Sequence, residues 1–179
     1  DLGNPISEMY LEALRYMRAG NATNKAVNDP SDAVPTADFK LDGSDKVAGL
    51  PIVAWRDPLP KTEWCSKSNV VMISTGLNSF DYDKTSHDLT WAKTTAQLTD
   101  ELTGSTYENI TGQVIVGSVT GASTYQSVCS EKALGLFSQV SGICPEVPSV
   151  EGSYHMAGLA FGTSQYDLRP GYQANRTKL

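Results

Sequence analysis

The clearest pattern of apolar and polar positions lies near the start of the chain, in NPISEMYLEALRYMRAG at residues 4–20. Apolar side chains recur there at steps of three and four residues, which is the spacing of one buried stripe on an amphipathic helix. Asn4 suits the N-cap, Pro5 suits the first helical position, and Gly20 can end the helix. The pattern therefore predicts a helix that packs on the core.

A second apolar run, Val70–Ile73, lies inside SNVVMISTGLNSFDYD. Because it is apolar on both faces, it predicts a central strand of a parallel sheet. The run ends in a Ser-Thr-Gly turn at residues 74–76, and Asp81 and Asp83 follow. Carboxylates beyond the C-terminal end of a buried strand are typical of metal or phosphate sites in α/β domains, so the stretch is a candidate for one.

Weaker patterns predict the remaining elements. These are a short strand at Ile52–Trp55, a helix in residues 87–104 capped by Asp88, a hairpin or edge strand in 107–121, a short helix in 130–140, and a core helix in 153–168 capped by Ser153. Small residues in the last of these helices predict that it lies close to a sheet.

The order of helix, strand and helix predicts an α/β fold with parallel strands and right-handed crossovers. Residues 21–63 and 84–152 interrupt that order, and we expect both to be insertions in one domain that spans residues 1–179. NRTKL at residues 175–179 would lead into a further strand. We therefore expect both ends to be cut and the chain to be part of a longer, processed polypeptide.

Composition and charge narrow the classes of function. The 179 residues are 40% apolar and 19% charged, which suffices for the core of one domain. A net charge of -6 without a Lys/Arg cluster argues against nucleic acid as a partner and against docking on anionic lipid. No apolar run reaches the roughly 20 residues that a membrane-spanning helix needs.

The three cysteines lack the spacing of a metal site, and the two histidines lie far apart at positions 87 and 155. A disulfide between Cys129 and Cys144 would close a modest loop and contribute about 3 kcal/mol, which favours an oxidising compartment. Cys65 is then a buried thiol or the partner of a cysteine elsewhere. The pairing of Cys65 with Cys144 remains an alternative.

An acidic segment invites comparison with a calcium loop. Its candidate ligands are Asp81, Asp83, Thr85 and Asp88. Counting from Asp81, however, the EF-hand positions for Gly and Glu hold Ser86 and Ala92. A solvated acidic loop is the better interpretation, and we assign no metal ligand there.

His155 stands beside Ser153, which suggests a Ser/His pair. Residues two apart on a helix face different directions, and the chain holds no GxSxG motif. We therefore expect His155 to be a structural histidine, His87 to be exposed, and no residue to be catalytic. Three triplets match the glycosylation sequon, at Asn21, Asn109 and Asn175. Three tryptophans are candidate aromatic anchors for a partner protein, at Trp55, Trp64 and Trp91.

Three blocks of sequence occur in a fixed order, at residues 4–20, 64–83 and 142–171. They read NPISEMYLEALRYMRAG, WCSKSNVVMISTGLNSFDYD and GICPEVPSVEGSYHMAGLAFGTSQYDLRPG. They resemble the PilY/PilC family of type IV pilus tip adhesins and assembly factors. In that family a helix P-L-x-E-x-x-Y-E-A-x-R-Y precedes a cysteine and a strand N-x-V-x-x-x-T-D-G. A helix with A-G-L-A, ending in N-D-L-R-P, follows.

The resemblance implies part of an N-terminal von Willebrand factor A-like domain, with a doubly wound, Rossmann-like sheet. The family's T-D-G corresponds here to residues 74–76, so Thr75 replaces the carboxylate that a metal-ion-dependent adhesion site would use. The D-x-S-x-S motif of such a site is absent from the chain. No cofactor is therefore expected, unless parts of the domain outside this chain supply metal ligands.

The resemblance also implies a function. We expect a non-catalytic part of a pilus tip adhesin, at the pilus tip or bacterial cell surface, that supports pilus biogenesis, adhesion and twitching motility. Its partners would be minor pilins, the remainder of a larger chain and host surfaces. The alternatives are a secreted hydrolase and a eukaryotic extracellular A-type domain, and the glycosylation triplets favour the latter.

Overall fold

The computed structural model describes residues 3–18, 58, 68–83, 85–87, 89, 91–103, 112–121, 128–144 and 149–168. Its elements are helix α1 at Ile6–Arg18, helix α2 at Thr95–Glu101, strand β1 at Gln113–Ser118, strand β2 at Ser130–Ala133, a 3-10 turn at Phe137–Gln139, strand β3 at Ser141–Ile143 and helix α3 at His155–Gln165. Helices and strands both build the fold, and this mixture is compatible with the predicted α/β class.

Helix α1 follows the apolar stripe that the sequence predicts. Tyr10, Leu11 and Leu14 point into the main core, where they meet residues of α2, α3 and the segments between them. The partly buried Val70 and Met72 pack against the same cluster. Burial of this apolar face therefore holds α1 against the core, as the spacing of its apolar residues predicts.

Helix α2 is shorter than the predicted helix and begins later. Thr94 is its N-cap: the Thr94 hydroxyl accepts a hydrogen bond from the Gln97 backbone, and the Gln97 side chain accepts one from the Thr94 backbone. This capping box satisfies two backbone donors at the helix start and so sets the boundary there. The predicted cap, Asp88, lies outside the described residues.

Helix α3 lies close to α2, and among the described residues its glycines meet α2 and the residues before it, so the predicted close contact with a sheet is not seen there. A Cβ atom at Gly158 would stand 2.7 Å from the Thr99 backbone nitrogen, and one at Gly162 would stand 2.5 Å from the Trp91 ring. The two glycines lie one helical turn apart, and Gly162 also approaches Leu98 of α2, so both face α2 and the residue Trp91 that precedes it. The small residues of α3 therefore serve a contact between helices.

The sheet has three antiparallel strands in the order β2-β1-β3. Val116 of β1 pairs with Ser130 on one side and with Ile143 on the other, and its side chain is fully buried. A hairpin or edge strand was predicted within residues 107–121; β1 pairs antiparallel with β2 and lies between β2 and β3, so it is not an edge strand of this sheet. The helix predicted for residues 130–140 is wrong, because pairing with β1 holds its first part as β2.

The strand predicted at Val70–Ile73 is also wrong for this structure. The segment pairs with no strand among the described residues, and the sheet formed by those residues is antiparallel. Val70 and Met72 contact the core, whereas Val71 and Ile73 are 82% and 89% exposed. The apolar run is therefore buried on one face only, and the described residues form no doubly wound parallel sheet.

Cys129 and Cys144 are joined by a disulfide with a Cα–Cα distance of 6.0 Å. Cys129 directly precedes β2 and Cys144 directly follows β3, so the bond links the two outer strands across β1. Several predicted features lie outside the described residues and receive no structural account. These are nearly all of residues 21–63 with the strand Ile52–Trp55, and also Cys65, Trp64, Asn109 and Asn175.

Replacing both Cys129 and Cys144 with alanine should lower the free energy of unfolding by about 3 kcal/mol, because the unfolded chain regains the entropy of a closed loop. Urea unfolding followed by tryptophan fluorescence measures this change. Reducing the wild-type protein with dithiothreitol should give the same loss. An unchanged urea midpoint in both cases would contradict the expectation.

A Gly158→Ala variant should lose about 1–3 kcal/mol of stability, because the added methyl group must push α3 away from the Thr99 backbone. Ser164→Ala is the matched control, since Ser164 is exposed on the same helix and should change stability by less than about 0.5 kcal/mol. Thermal unfolding of the two variants side by side tests this. Equal midpoints would refute the close contact.

Candidate functional site

The turn after residues 70–73 lies across the N-terminal end of α1, where the sequence suggested a metal or phosphate site. Backbone bonds in both directions join Asn4 to Ser79, at 3.2 and 3.1 Å. The Asn4 side-chain amide donates to the Ser74 hydroxyl and to the carbonyls of Gly76 and Leu77. Asn4 was predicted to cap α1, but its amide organises this turn instead.

Asp81 takes the capping role at α1. One carboxylate oxygen accepts hydrogen bonds from the backbone nitrogens of Ser7 and Glu8, at 2.7 and 3.2 Å. The other accepts from the Ser7 hydroxyl and from the Asn78 amide, both at 2.6 Å. A carboxylate at this end of a helix satisfies unpaired N–H groups and interacts favourably with the helix dipole.

A third segment, residues 149–153, closes the junction. The Asn78 amide also donates to the Ser153 carbonyl at 2.6 Å, and the Ser153 hydroxyl donates to the Asp81 carbonyl at 2.7 Å. Gly152 fits between them, since a Cβ atom there would stand 2.6 Å from the Asn78 carbonyl oxygen. The junction therefore ties the start of α1 to the approach to α3.

The backbone is strained where these segments meet. Phe80 and Glu151 both have positive φ angles, of 51° and 52°. The Phe80 nitrogen donates to the Val150 carbonyl, and the Asp81 nitrogen donates to the Glu151 carbonyl. Each such conformation costs a non-glycine residue about 1 kcal/mol or more. The paired hydrogen bonds hold the two segments in place despite that cost.

Burial raises the pKa of the Asp81 carboxyl above its usual value. Hydrogen bonds from Ser7, Asn78 and the Glu8 backbone act in the opposite direction, because they stabilise the charged form. Every one of these partners is a donor. These donors therefore form a site for a charged carboxylate, and the side chain of Asp81 itself occupies it.

This geometry does not fit a bound metal ion. Both oxygens of Asp81 are engaged by protein donors, and Thr75 lies exposed in the turn. In the part of the chain that the structure describes, no three His, Cys, Asp or Glu residues are grouped to hold a metal. Asp83 is exposed beside the junction, whereas Asp81 is fully buried, so the prediction of a solvated acidic loop is wrong for Asp81.

His155, the first residue of α3, forms a second buried junction. Its Nδ1 lies 2.7 Å from the Thr85 hydroxyl and its Nε2 lies 3.2 Å from the Ser138 carbonyl. Because a carbonyl can only accept, Nε2 carries the proton and Nδ1 accepts from Thr85. Ser138 in turn donates through its backbone and its hydroxyl to the Asp100 carboxylate of α2.

Burial lowers the pKa of His155, while the Ser138 hydrogen bond and the Asp100 charge oppose that shift. The prediction that His155 is structural agrees with this geometry. The Ser153 hydroxyl accepts from the His155 backbone nitrogen at 3.2 Å and donates to the Asp81 carbonyl. It makes no bond to the imidazole, so the two residues do not form a nucleophile and base pair.

Sequence reasoning missed most of the polar contacts in the core. Arg15, in the last turn of α1, is buried, pairs with Glu12 and donates to the Ser86 carbonyl at 3.0 Å. His87 was expected to be exposed, yet its ring is half-buried and meets Trp91 edge-on. The Thr-x-x-Gln capping box of α2 was a signal that could have been found.

The chain was compared with protein families, curated proteins and solved structures. A family model described as "PilY1 homolog, second domain" matches residues 1–162. No curated protein and no solved structure matches. Within the described residues, no helix is long and apolar enough to cross a membrane.

Asp81→Ala should destabilise the domain by about 2–4 kcal/mol, because it removes a helix cap and leaves buried donors unpaired. Asp83→Ala is the matched control: it removes a nearby carboxylate that is exposed, and should cost less than about 0.5 kcal/mol. Urea unfolding at neutral pH measures both. Similar losses in the two variants would show that the Asp81 contacts do not stabilise the fold.

The lowered pKa of His155 predicts a dependence of stability on pH. The unfolded state binds the proton first, at a pKa of about 6.5, so stability should fall as pH drops below that value and level off below the folded pKa. Urea unfolding between pH 7.5 and 5 tests this in the wild type and in His155→Gln. The variant should be less stable at pH 7.5 and should lose less on acidification, and identical pH profiles would contradict the assignment.

Proposed function

Since the chain belongs to the family of the second domain of PilY1 homologs, we propose that it is a non-catalytic part of a type IV pilus-associated protein that acts through surface contacts. The observation that carries this proposal is the family match over residues 1–162 of the 179. The same sequence blocks that resemble the pilus adhesins also build the Asp81 junction, and they supply His155 of the second junction. Residues 4–20 supply α1, residues 64–83 supply Asp81, and residues 142–171 supply α3.

The absence of catalysis is supported by how the polar side chains are used. Asp81 and His155 are the buried groups with shifted pKa values that most resemble catalytic residues, and both are engaged on every side by protein partners. Perturbed pKa values also arise in structural networks of this kind. No feature of the described residues favours the alternative of a secreted hydrolase.

We also propose that the domain keeps its shape while it carries load at the cell surface. The disulfide between Cys129 and Cys144 crosses the sheet, and the Asp81 junction joins segments that lie more than 70 residues apart in the chain. Both features resist local opening of the fold. The proposed partners are minor pilins, the remainder of a larger chain and host surfaces.

A more specific fold is also proposed. We infer an A-type domain in which α1 and α3 cover one face of a larger sheet that includes residues 70–73. The inward contacts of Val70 and Met72 with the core cluster support this arrangement. A metal-dependent adhesion site is not included, because Thr75 stands where the acid would be and the Asp81 oxygens are already occupied.

The test is made in the bacterium that encodes the full-length protein. Pili are sheared from wild-type cells without reduction, and the preparation is searched for this chain together with minor pilins. In parallel, cells carrying Asp81→Ala are compared with cells that lack the protein. Surface pili and twitching should fall in the variant to the level of the deletion, because the domain loses the cap of α1.

Asp83→Ala again serves as the control and should leave both readouts at the wild-type level. Immunoblotting of the full-length protein separates loss of the domain from loss of the entire chain. Wild-type piliation and twitching in the deletion strain, with no copy of the chain in sheared pili, would overturn the proposed function.

A further inference from the structure

The chain enters the described fold through one set of contacts, which we call the entry clamp: the contacts that residues 3–8 make with residues 74–81. Asn4 and Ser79 form an isolated antiparallel pair with backbone hydrogen bonds in both directions. A few residues later, the Asp81 carboxylate accepts hydrogen bonds from the first turn of α1. A pull on the chain ahead of residue 3 therefore loads the entry clamp before it loads the rest of α1.

Asn4 makes more bonds than a helix start requires. It lies two residues before α1, and its side-chain amide donates to the Ser74 hydroxyl at 2.8 Å and to the carbonyls of Gly76 and Leu77 at 3.2 and 3.0 Å. The three acceptors lie in an exposed turn, where water can replace the amide at a small cost in free energy. These bonds therefore contribute little to stability at rest, and their main effect is to tie the entering chain to the turn.

The backbone pair is oriented to resist a pull along the chain. Hydrogen bonds between antiparallel segments run across the chain direction, so tension along the chain loads both bonds together instead of one after the other. The Phe80 ring covers the same stretch, since a Cβ atom at Gly3 would stand 2.8 Å from a ring carbon. Side-chain packing and hydrogen bonds thus hold the entering chain at the same place.

The entry clamp is in turn bonded to the segment that leads into α3. The backbone nitrogens of residues 80 and 81 donate to the carbonyls of residues 150 and 151, at 2.7 and 3.1 Å, and the Asn78 amide donates to the Ser153 carbonyl at 2.6 Å. Both positive φ angles of non-glycine residues lie in this link, within the part of the chain that the structure describes. Strain of this kind persists only where the surrounding contacts fix the geometry.

We propose that the entry clamp opens a direct load path: tension that arrives ahead of residue 3 passes through residues 78–81 and 150–153 into α3, and leaves α2 and the sheet outside the path. From there one continuous stretch leads to Leu168, which is buried in the core. The proposal rests on the proposed function, which places load on the domain. It also rests on the family description, because a second domain shares its polypeptide with a first.

A load path separates resistance to force from stability at equilibrium. Unfolding under force is governed by a rate, and that rate depends on the contacts that must break before the barrier is crossed. Loss of a contact in the entry clamp should therefore speed forced unfolding far more than it lowers stability. Loss of a contact outside the path should do the reverse.

The experiment uses the full-length protein, purified without reduction and held by DNA handles at its two termini in an optical trap. The time until this domain unfolds is measured at constant force, and the same variants are unfolded in urea. Reduction identifies the event that belongs to this domain, because opening the Cys129–Cys144 bond, with its sequence separation of 15, lengthens the unfolded chain by about 5 nm. Asn4→Ala should unfold at least about tenfold faster than the wild type at the same force, with a small shift of its urea midpoint.

Val116→Ala is the matched control. Val116 is fully buried in β1, which lies outside the load path. The variant should shift the urea midpoint more than Asn4→Ala does, because it leaves a cavity in a packed interior. Under force it should unfold within about twofold of the wild-type rate.

An Asn4→Ala variant that unfolds under force no faster than Val116→Ala would overturn the load path, because forced unfolding would then follow overall stability. This measurement requires no pili. A load path in a protein without a role in piliation would reject only the proposed function. A role in piliation without the difference between the two variants would reject only the load path.

Discussion

The fold depends on the bond between the Asp81 carboxylate and the start of α1. A helix begins with unpaired N–H groups, and burying them without a partner costs as much as losing a hydrogen bond. Here a single side chain from a distant loop accepts from Ser7 and Glu8 and receives a further bond from Asn78. Because Asn78 also holds Ser153, the same interaction positions the chain that leads into α3.

The two buried junctions meet at the start of α3. Ser153 belongs to the Asp81 junction and His155, two residues later, belongs to the junction with Thr85 and Ser138. Burial shifts the two pKa values in opposite directions, and in both cases it disfavours the charged form. Each junction thus relies on a particular protonation state that its hydrogen bonds select.

Much of the fold could be predicted where a pattern is local. The apolar spacing of α1, the helix at α3 and the alternation in β1 are properties of short windows, and each element exists close to where it was expected. The residues of β2 were assigned to a helix, because pairing with β1 is not visible in their own sequence. The sequence of Val70–Ile73 is typical of a strand, but a strand forms only when it pairs with another strand. A short stretch of sequence does not show which segment that partner is.

The candidate site was harder to predict for the same reason. The sequence marks Asp81 as one of several acidic residues in a polar segment and does not show which of them is buried. Its partners stand 74 residues away, at Ser7, and 3 residues away, at Asn78. The replacement of an acidic residue by Thr75 was easier to predict, because it can be read directly from the T-D-G motif. Contacts between residues that are far apart in the chain cannot be predicted from a local pattern.

That separation has a consequence for biosynthesis. Ser7 leaves the ribosome 74 residues before Asp81, an interval of roughly 4–15 s at ordinary rates of elongation. During that time α1 has neither its cap nor most of the core it packs on, and an isolated helix of 13 residues is marginal in water. Helix α1 therefore stays open to chaperones until the loop that completes it has been made.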